Sequence, residues 1–421
     1  MMDNYLTRYI ESTISKKMKS SGVVLVEGPK FCGKTTTSSL FAKSEIRLNT
    51  KSAIQVARIE PANVLVGERP RLIDEWQTVP DLWNQAKAWI DENPGFGQFI
   101  FTGSSTPVDS SDIFHSGAGR ITRVLMRPMS LFESGDSKGS VSLRSLFDNG
   151  PCDVFDINDG YKLMDTAFLL CRGGWPLSLQ PEREIALDVT SNYYESLFNL
   201  GNSENPKFRN KNPDIMRIVM RAYARQVSSQ TSTSRILADI TARDSRTISN
   251  KTFEEYADVL KDLFIIEDME AWNPNLRSKT VIRTTPTHHF VDSSIAAQAL
   301  GASPADLMSD LNTFGLLFED MAVRDLRVYA QTINGNVFHY RDSRGLECDT
   351  ILHLKDGRWA PIEIKLGGDN LIEEGAINLK RLKADIAEKN QPSFMMILTA
   401  TGPAYRREDG IYVVPINCLK A

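Results

Sequence analysis

Residues 22–41 read Gly22-Val23-Val24-Leu25-Val26-Glu27-Gly28-Pro29-Lys30-Phe31-Cys32-Gly33-Lys34-Thr35-Thr36-Thr37-Ser38-Ser39-Leu40-Phe41. The opening run to Glu27 is short, continuous and β-branched, which predicts a strand buried on both faces. The next eight residues match GxxxxGK[ST], and the polar run from Thr35 can open a helix. Strand, glycine-rich turn and helix together form the context in which that pattern cradles phosphate. The glycines allow a sharp turn with backbone N–H groups aimed at phosphate oxygens, and the helix N-terminus adds positive potential. Gly28, Pro29, Lys30, Phe31, Cys32, Gly33, Lys34, Thr35 and Thr36 are therefore candidate ATP contacts. Lys34 is expected on the β- and γ-phosphates and Thr35 on Mg²⁺.

Two further apolar runs follow, Pro70-Arg71-Leu72-Ile73-Asp74 and Gln98-Phe99-Ile100-Phe101-Thr102-Gly103, with a helical stretch at residues 82–91 between them. Buried strands alternating with helices imply an α/β fold, a parallel sheet with helices on both faces. The first run closes on Asp74-Glu75, a Walker B pattern: Asp74 for Mg²⁺, Glu75 to polarise the attacking water. Ser104, after the second run, is a candidate γ-phosphate sensor. In Gly119-Arg120-Ile121-Thr122-Arg123, either arginine can serve as an arginine finger or as a plain surface residue. A finger usually reaches a neighbouring subunit, so this expectation includes a homo-oligomer.

Beyond residue 133 the alternation fades. Residues 134–160, rich in Gly, Ser and Asp, read as a linker or mobile loop, and residues 161–270 as mostly helical. From about 310 a helix gives way to strands. Pro361-Ile362-Glu363-Ile364-Lys365-Leu366 alternates with period two, so Glu363 and Lys365 share a face. A hairpin through Lys355-Asp356-Gly357-Arg358 can bring Asp349 beside them. Asp349 and Glu363 can hold a divalent cation, Lys365 can stabilise a phosphorane-like transition state, and Glu319 on the preceding helix is a further candidate ligand. Asp and Glu-x-Lys are also common on solvated strand faces.

The middle region offers a helix at residues 232–240, a second at 250–263, and Phe264-Ile265-Ile266 with Thr280-Val281-Ile282-Arg283 as a wing. A winged helix-turn-helix can enter a DNA major groove, with Arg243, Arg246 and Lys251 on phosphates. Glu254, Glu255 and Asp258 on the second helix disfavour insertion, and packing against protein is the competing use. A basic stretch from Lys207 to Arg225 repeats arginine at 217, 221 and 225, one helical face.

Net charge is −4, so DNA cannot be argued from global charge and rests on such local patches. The five cysteines are scattered without a CxxC pair, which argues against a zinc site or disulfide framework and suits a reducing compartment. With no signal-like N-terminus and no apolar run of roughly 18 residues, a cytoplasmic protein away from membranes is expected.

These pieces in this order resemble a widespread prokaryotic family that joins an AAA-type P-loop ATPase domain to a winged-helix region and a C-terminal PD-(D/E)XK nuclease-like (restriction-endonuclease-like) domain. The resemblance covers nearly the whole chain. It rests on residues 28–36, Leu72-Ile73-Asp74-Glu75-Trp76-Gln77 with Pro80, Thr102-Gly103-Ser104-Ser105, Gly119-Arg120, and Arg127-Pro128-Met129-Ser130-Leu131-Phe132-Glu133. It continues through Gly173-Gly174-Trp175-Pro176, Phe290-Val291-Asp292, Phe318-Glu319 and Gly345-Leu346-Glu347-Cys348-Asp349 with Glu363-Ile364-Lys365. Cys32 and Cys348 replace the usual aliphatic residue, and Trp175 the usual tyrosine. The resemblance implies domains at 1–160, 161–305 and 306–421, and an ATP- and Mg²⁺-using protein that acts on DNA. A nucleotide-controlled switch that binds DNA or protein without cutting is the alternative, and a purely structural assembly timed by ATP is a third.

Overall fold

Val23, Val24, Leu25 and Val26 are all buried, and they form β1 (Val23–Glu27), an interior strand of a five-stranded sheet. A computed structural model describes residues 5–105, 117–150, 152–199, 209–244, 246–273 and 285–421. The other strands of this sheet are β2 (Ser44–Arg47), β3 (Arg71–Asp74), β4 (Phe99–Gly103) and β5 (Ile121–Leu125), in the order β2-β3-β4-β1-β5. All of its pairings are parallel. Val23, Leu25, Ile73, Phe99 and Phe101 pack on one face against Trp76, Trp83, Ala86 and Ile90. Val24, Val26, Leu72 and Ile100 point the other way and are equally buried, so both faces are covered. The registers Glu27↔Gly103 and Asp74↔Thr102 bring the carboxyl ends of β1, β3 and β4 to one edge.

The three interior strands are those the apolar runs predict. β2 and β5 lie at the sheet edges, where Ser44-Glu45-Ile46-Arg47 and Ile121-Thr122-Arg123-Val124-Leu125 are only partly buried. Such strands need no continuous apolar run, and sequence pattern alone passes over them.

The chain forms two compact units. The sheet belongs to the unit comprising Met1–Pro128, Asn199–Pro213 and Tyr256–Ile265; Met129–Phe198, Asp214–Glu255 and Ile266–Ala421 make the other. The first unit therefore ends its N-terminal run at Pro128 rather than at 160. The linker expected over 134–160 is also corrected. It carries β6 (Val141–Ser142), a helix at Leu143–Asp148 and β7 (Phe155–Asp156). β6 pairs with β14 (Leu419–Lys420), and β7 joins the second unit's main sheet. Glycine and serine there serve turns between short paired strands.

That sheet has seven strands in the order β7-β12-β13-β11-β10-β9-β8. They are β8 (Gly335–Arg341), β9 (Glu347–Leu354), β10 (Trp359–Lys365), β11 (Met396–Thr399), β12 (Ala404–Arg406) and β13 (Tyr412–Pro415), with β7. β8, β9 and β10 form an antiparallel meander, and β10, β11 and β13 run parallel. The Leu311–Thr332 helix packs on β8, β9 and β10. The Asp369–Asp385 helix crosses from β10 to β11 and buries Ala376, Leu379 and Leu382 against Ile351, Ile397 and Val413.

Helices at Leu163–Arg172, Arg183–Ser196, Pro213–Arg225, Thr233–Arg243 and Asn250–Asp262 fill most of the middle region. Past the last of them, Ile266 bridges Phe290 and Met269 bridges Thr287, both antiparallel. The wing strand expected at 280–283 lies outside the described residues.

Candidate functional site

At the carboxyl end of β1 the chain turns through Gly28 at φ 151°. A Cβ there would stand 2.1 Å from the Met126 carbonyl oxygen, so only glycine fits. Phe31 (φ 64°) and Gly33 (φ 98°) are left-handed, and such alternation in handedness curls backbone amides into an anion-binding concavity. Lys34, buried, folds back over this loop and donates from Nζ to the Pro29 carbonyl at 2.6 Å. Lys30 and Phe31 are exposed on the loop's outer side, while Cys32 is buried within it.

Thr35 Oγ1 donates to Asp74 Oδ1 at 2.8 Å, and Thr102 Oγ1, paired with Asp74 across β3 and β4, donates to the same oxygen. Glu75 Oε2 accepts from Ser104 Oγ at 3.1 Å and from Gln77 Nε2. Glu75 is itself left-handed, at φ 58°, a conformation that costs a non-glycine residue about 1 kcal/mol. The strained turn aims its carboxylate away from Asp74's partners. The polar residues closing β4 divide between the two carboxylates: Thr102 addresses Asp74, while Ser104, with Gln77, addresses Glu75. No sequence pattern marks Gln77 for this, and the register of β3 on β4 is what sets Thr102 against Asp74.

Arg120, a candidate nucleotide contact and arginine finger, lies away from the phosphate loop of its own chain. Its carbonyl accepts from Val23 N–H at 2.9 Å, at the start of β1. The phosphate loop begins at the other end of that strand, roughly 13 Å further along at 3.3 Å per residue. Arg120 Nε is instead paired with Asp91 at 2.8 Å, on the surface. Arg123 pairs with Glu27 at 3.2 Å and lies over the Trp83 ring. Burial pushes the Glu27 carboxyl up, and Arg123 opposes the shift.

In the second unit, the β9–β10 hairpin sets Asp349 beside Lys365 as its spacing predicts. Lys365 Nζ stands 3.1 Å from Asp349 Oδ2 and 2.8 Å from Glu363 Oε2. Asp349 Oδ2 also accepts from Ile364 N–H at 2.8 Å. Glu363 is 1 % exposed, and its Oε1 has no hydrogen-bond partner. Burial, then repulsion from Asp349, pushes its carboxyl up to about 8 against the pull of Lys365. Glu319 on the Leu311–Thr332 helix is raised well above the carboxylate range, by burial and then by Asp349. Burial alone would lower the Lys365 ammonium, but Asp349 and Glu363 hold it well above its ordinary value. Among the described residues, no group of three or more His, Cys, Asp or Glu side chains is arranged to hold a metal ion. The three-carboxylate set expected of Glu319, Asp349 and Glu363 is thus not assembled as such. The Lys365 ammonium stands as counter-ion between Asp349 and Glu363.

Three motifs distant in sequence meet at one buried guanidinium. Arg324 donates to Asp292 at 2.8 Å and to Asp325 at 2.7 and 2.9 Å. Asp292 accepts from Gly174 N–H, and Asp325 from Leu131 N–H, both at 2.9 Å. Leu131, Gly174 and Asp292, one from each of these stretches, therefore share a buried ion-pair network.

The arginine face at 217, 221 and 225 is committed to intramolecular ion pairs. Arg217 pairs with Glu195, Arg221 with Asp244, and Arg225 with Asp239 and Asp244. On the Asn250–Asp262 helix the exposed residues include Lys251, Glu254, Glu255 and Asp258, a mainly acidic face.

Residues 20–134 match the AAA domain family, residues 164–306 a domain of unknown function (DUF8612) and residues 314–419 another (DUF4143). Uncharacterized proteins of Mycobacterium bovis and Mycobacterium tuberculosis are each 29 % identical over 128 residues, 30 % of this chain and 29 % of theirs. A solved Walker-type ATPase of Pyrococcus abyssi aligns at 15 % identity with a TM-score of 0.44, over 71 % of this chain and 97 % of its own. No helix among the described residues is long and apolar enough to cross a membrane. Residues 20–134 are thus similar to AAA domains.

Proposed function

We propose that the chain binds and hydrolyses ATP at its phosphate loop, and that Asp349, Glu363 and Lys365 hydrolyse DNA phosphodiesters with Mg²⁺. Thr35 and Asp74, already in contact, suit one cation. The buried, unpartnered Oε1 of Glu363, beside a second carboxylate with a single ammonium between them, carries the second half of the proposal. Such a site is short of positive charge, and two carboxylates completed by water satisfy a hard divalent ion. Bound Mg²⁺ would supply charge neutralisation and Lewis acidity at both places.

Lys34 exchanges the Pro29 carbonyl for β- and γ-phosphate oxygens, a stronger charge-assisted bond. Glu75, steadied by Gln77 and Ser104, polarises the water that attacks the γ-phosphate. Lys365, kept protonated by its neighbours, stabilises charge growing on the scissile phosphate. Arg120, at the sheet edge away from its own phosphate loop, suits a nucleotide held by a second copy in a homo-oligomer. The scattered free thiols suit the cytoplasm.

The test is cleavage of single- and double-stranded DNA with Mg²⁺ or Mn²⁺, with and without ATP. Asp349→Asn should abolish cutting and spare ATP hydrolysis, and Lys34→Ala should do the reverse to hydrolysis. Equal cutting by wild type and Asp349→Asn ends the nuclease reading.

A second reading, a nucleotide-controlled switch that binds DNA or protein without cutting, is favoured by the acidic face of the Asn250–Asp262 helix and the spent arginines at 217 and 225. Binding to duplex DNA should weaken by roughly 0.9 log unit per log salt for each phosphate contact; salt-insensitive binding points to protein.

A further inference from the structure

Behind the phosphate loop lies a second basic residue that the loop pattern does not include. Arg8 is 4 % exposed. Its Nη1 donates to the Cys32 carbonyl at 2.8 Å and its Nη2 to the Arg127 carbonyl at 2.8 Å. The first acceptor is in the loop itself. The second directly follows Met126, whose backbone closes against Gly28 where the loop leaves β1. One planar fork thus spans the crest of the loop and the chain that flanks its base.

In a trans peptide the C=O and the following N–H point in opposite directions. A Cys32 carbonyl held on the Arg8 side therefore sends the Gly33 N–H away from Arg8. Gly33 immediately precedes Lys34, where backbone N–H groups of this motif meet phosphate. Gly33 is left-handed and free of a Cβ, so this peptide can turn over unless something holds it.

We propose that Arg8 is a positioning residue of the phosphate loop: its guanidinium, fixed between the carbonyls of Cys32 and Arg127, keeps the Gly33 N–H turned toward the bound phosphate. The inference rests on the proposed ATP site and adds a residue outside the motif. The surroundings of Arg8 are built to keep it in place. Its own N–H donates to Glu11 at 2.6 Å, Glu11 accepts from Tyr5 at 2.8 Å, and the Tyr5 hydroxyl lies 3.1 Å from Thr37 on the helix that follows the loop. Burial pushes the Tyr5 hydroxyl up to about 12, so it remains a donor to Glu11. The segment from Tyr5 to Glu11 therefore grips both the loop and the helix behind it. A buried positive charge under the loop also favours an anion above it.

The test compares the affinities of ADP and AMP, whose ratio isolates contacts made by the β-phosphate, in the full chain with Mg²⁺. Arg8→Ala should lower that ratio about tenfold, the worth of one charge-assisted hydrogen bond. Arg8→Lys, which keeps the charge but not the fork, should fall between. A ratio equal to wild type in folded Arg8→Ala overturns the proposal. If Arg8→Ala does not fold, Arg8→Lys decides in the same way, since a role in stability alone leaves its ratio unchanged. A wild type with no preference for ADP over AMP instead removes the nucleotide site on which the proposal rests.

Discussion

Thr35 Oγ1 donates to Asp74 Oδ1 at 2.8 Å, although the two residues are 39 apart in sequence and leave different strands of the sheet. The contact exists because β1 and β3 end at the same edge. It pre-assembles two oxygens that would share one cation, before any nucleotide arrives. Preorganisation of this kind removes a rearrangement from the reacting complex.

Asp74→Asn tests that pair. The amide oxygen can still accept from Thr35 and Thr102, so the fold should survive with little change in melting temperature. The lost charge should cut ATP hydrolysis by about a hundredfold or more. Nucleotide titration in EDTA should match wild type, and titration with Mg²⁺ should not. Unchanged hydrolysis would remove Asp74 from the mechanism.

Glu363 gives the protein a pH signature. Its carboxyl, at 4.5 when unperturbed, is raised to about 8 by burial and by Asp349. Between those values the native state holds a proton that the unfolded chain lacks, so stability falls as pH rises. His289, and His339 at about 4, are depressed by burial below their ordinary 6.5. They act oppositely below that value, where stability falls as pH drops. The window from about 6.5 to about 8 therefore belongs to buried carboxyls that are raised well above their ordinary range, Glu363 with Glu319 and Asp320, and Glu363 should contribute about 2 kcal/mol across it. Urea unfolding without divalent cations should show a shallower decline in Glu363→Gln than in wild type. Identical slopes would falsify the assignment.

What the sequence makes legible follows from how each feature is encoded. β1, β3 and β4 are interior strands and announce themselves as apolar runs. The edge strands β2 and β5 do not. Asp349, Glu363 and Lys365 were recoverable because one short hairpin joins them. Arg8 was not, because its acceptors lie 24 and 119 residues away and a lone arginine before a helix carries no pattern. The place of Arg120 in the sheet was not legible either, because a motif gives order along the chain but not strand direction. Only the parallel register of β5 on β1 reveals that it enters the sheet at the wrong edge for its own phosphate loop.

Lys365→Met removes the ammonium at 2.8 and 3.1 Å from Glu363 and Asp349. The carboxylates then lack a counter-charge, and removing one partner of a buried pair costs about 3–5 kcal/mol. A ligand that binds only the folded state returns stability by mass action. Millimolar Mg²⁺ or Ca²⁺ should therefore raise the melting temperature of Lys365→Met more than that of wild type. If neither protein responds to either cation, the proposed metal site is wrong.

Arg324 holds the second unit together by charge, and this too is measurable. Its guanidinium and the carboxylates of Asp292 and Asp325 are fully buried, and those carboxylates fix the backbone at Gly174 and Leu131. Arg324→Leu leaves two buried anions unpaired, which should cost about 3–5 kcal/mol. Arg324→Lys should recover only part of this, because a point charge cannot fork to two carboxylates. The triple variant Arg324→Leu, Asp292→Asn, Asp325→Asn removes the stranded charges and should be more stable than Arg324→Leu alone, a coupling that a simple packing loss cannot produce. Equal stability of the single and triple variants in denaturant unfolding would mean that the arginine acts by filling space, and that the three motifs meet there without depending on its charge.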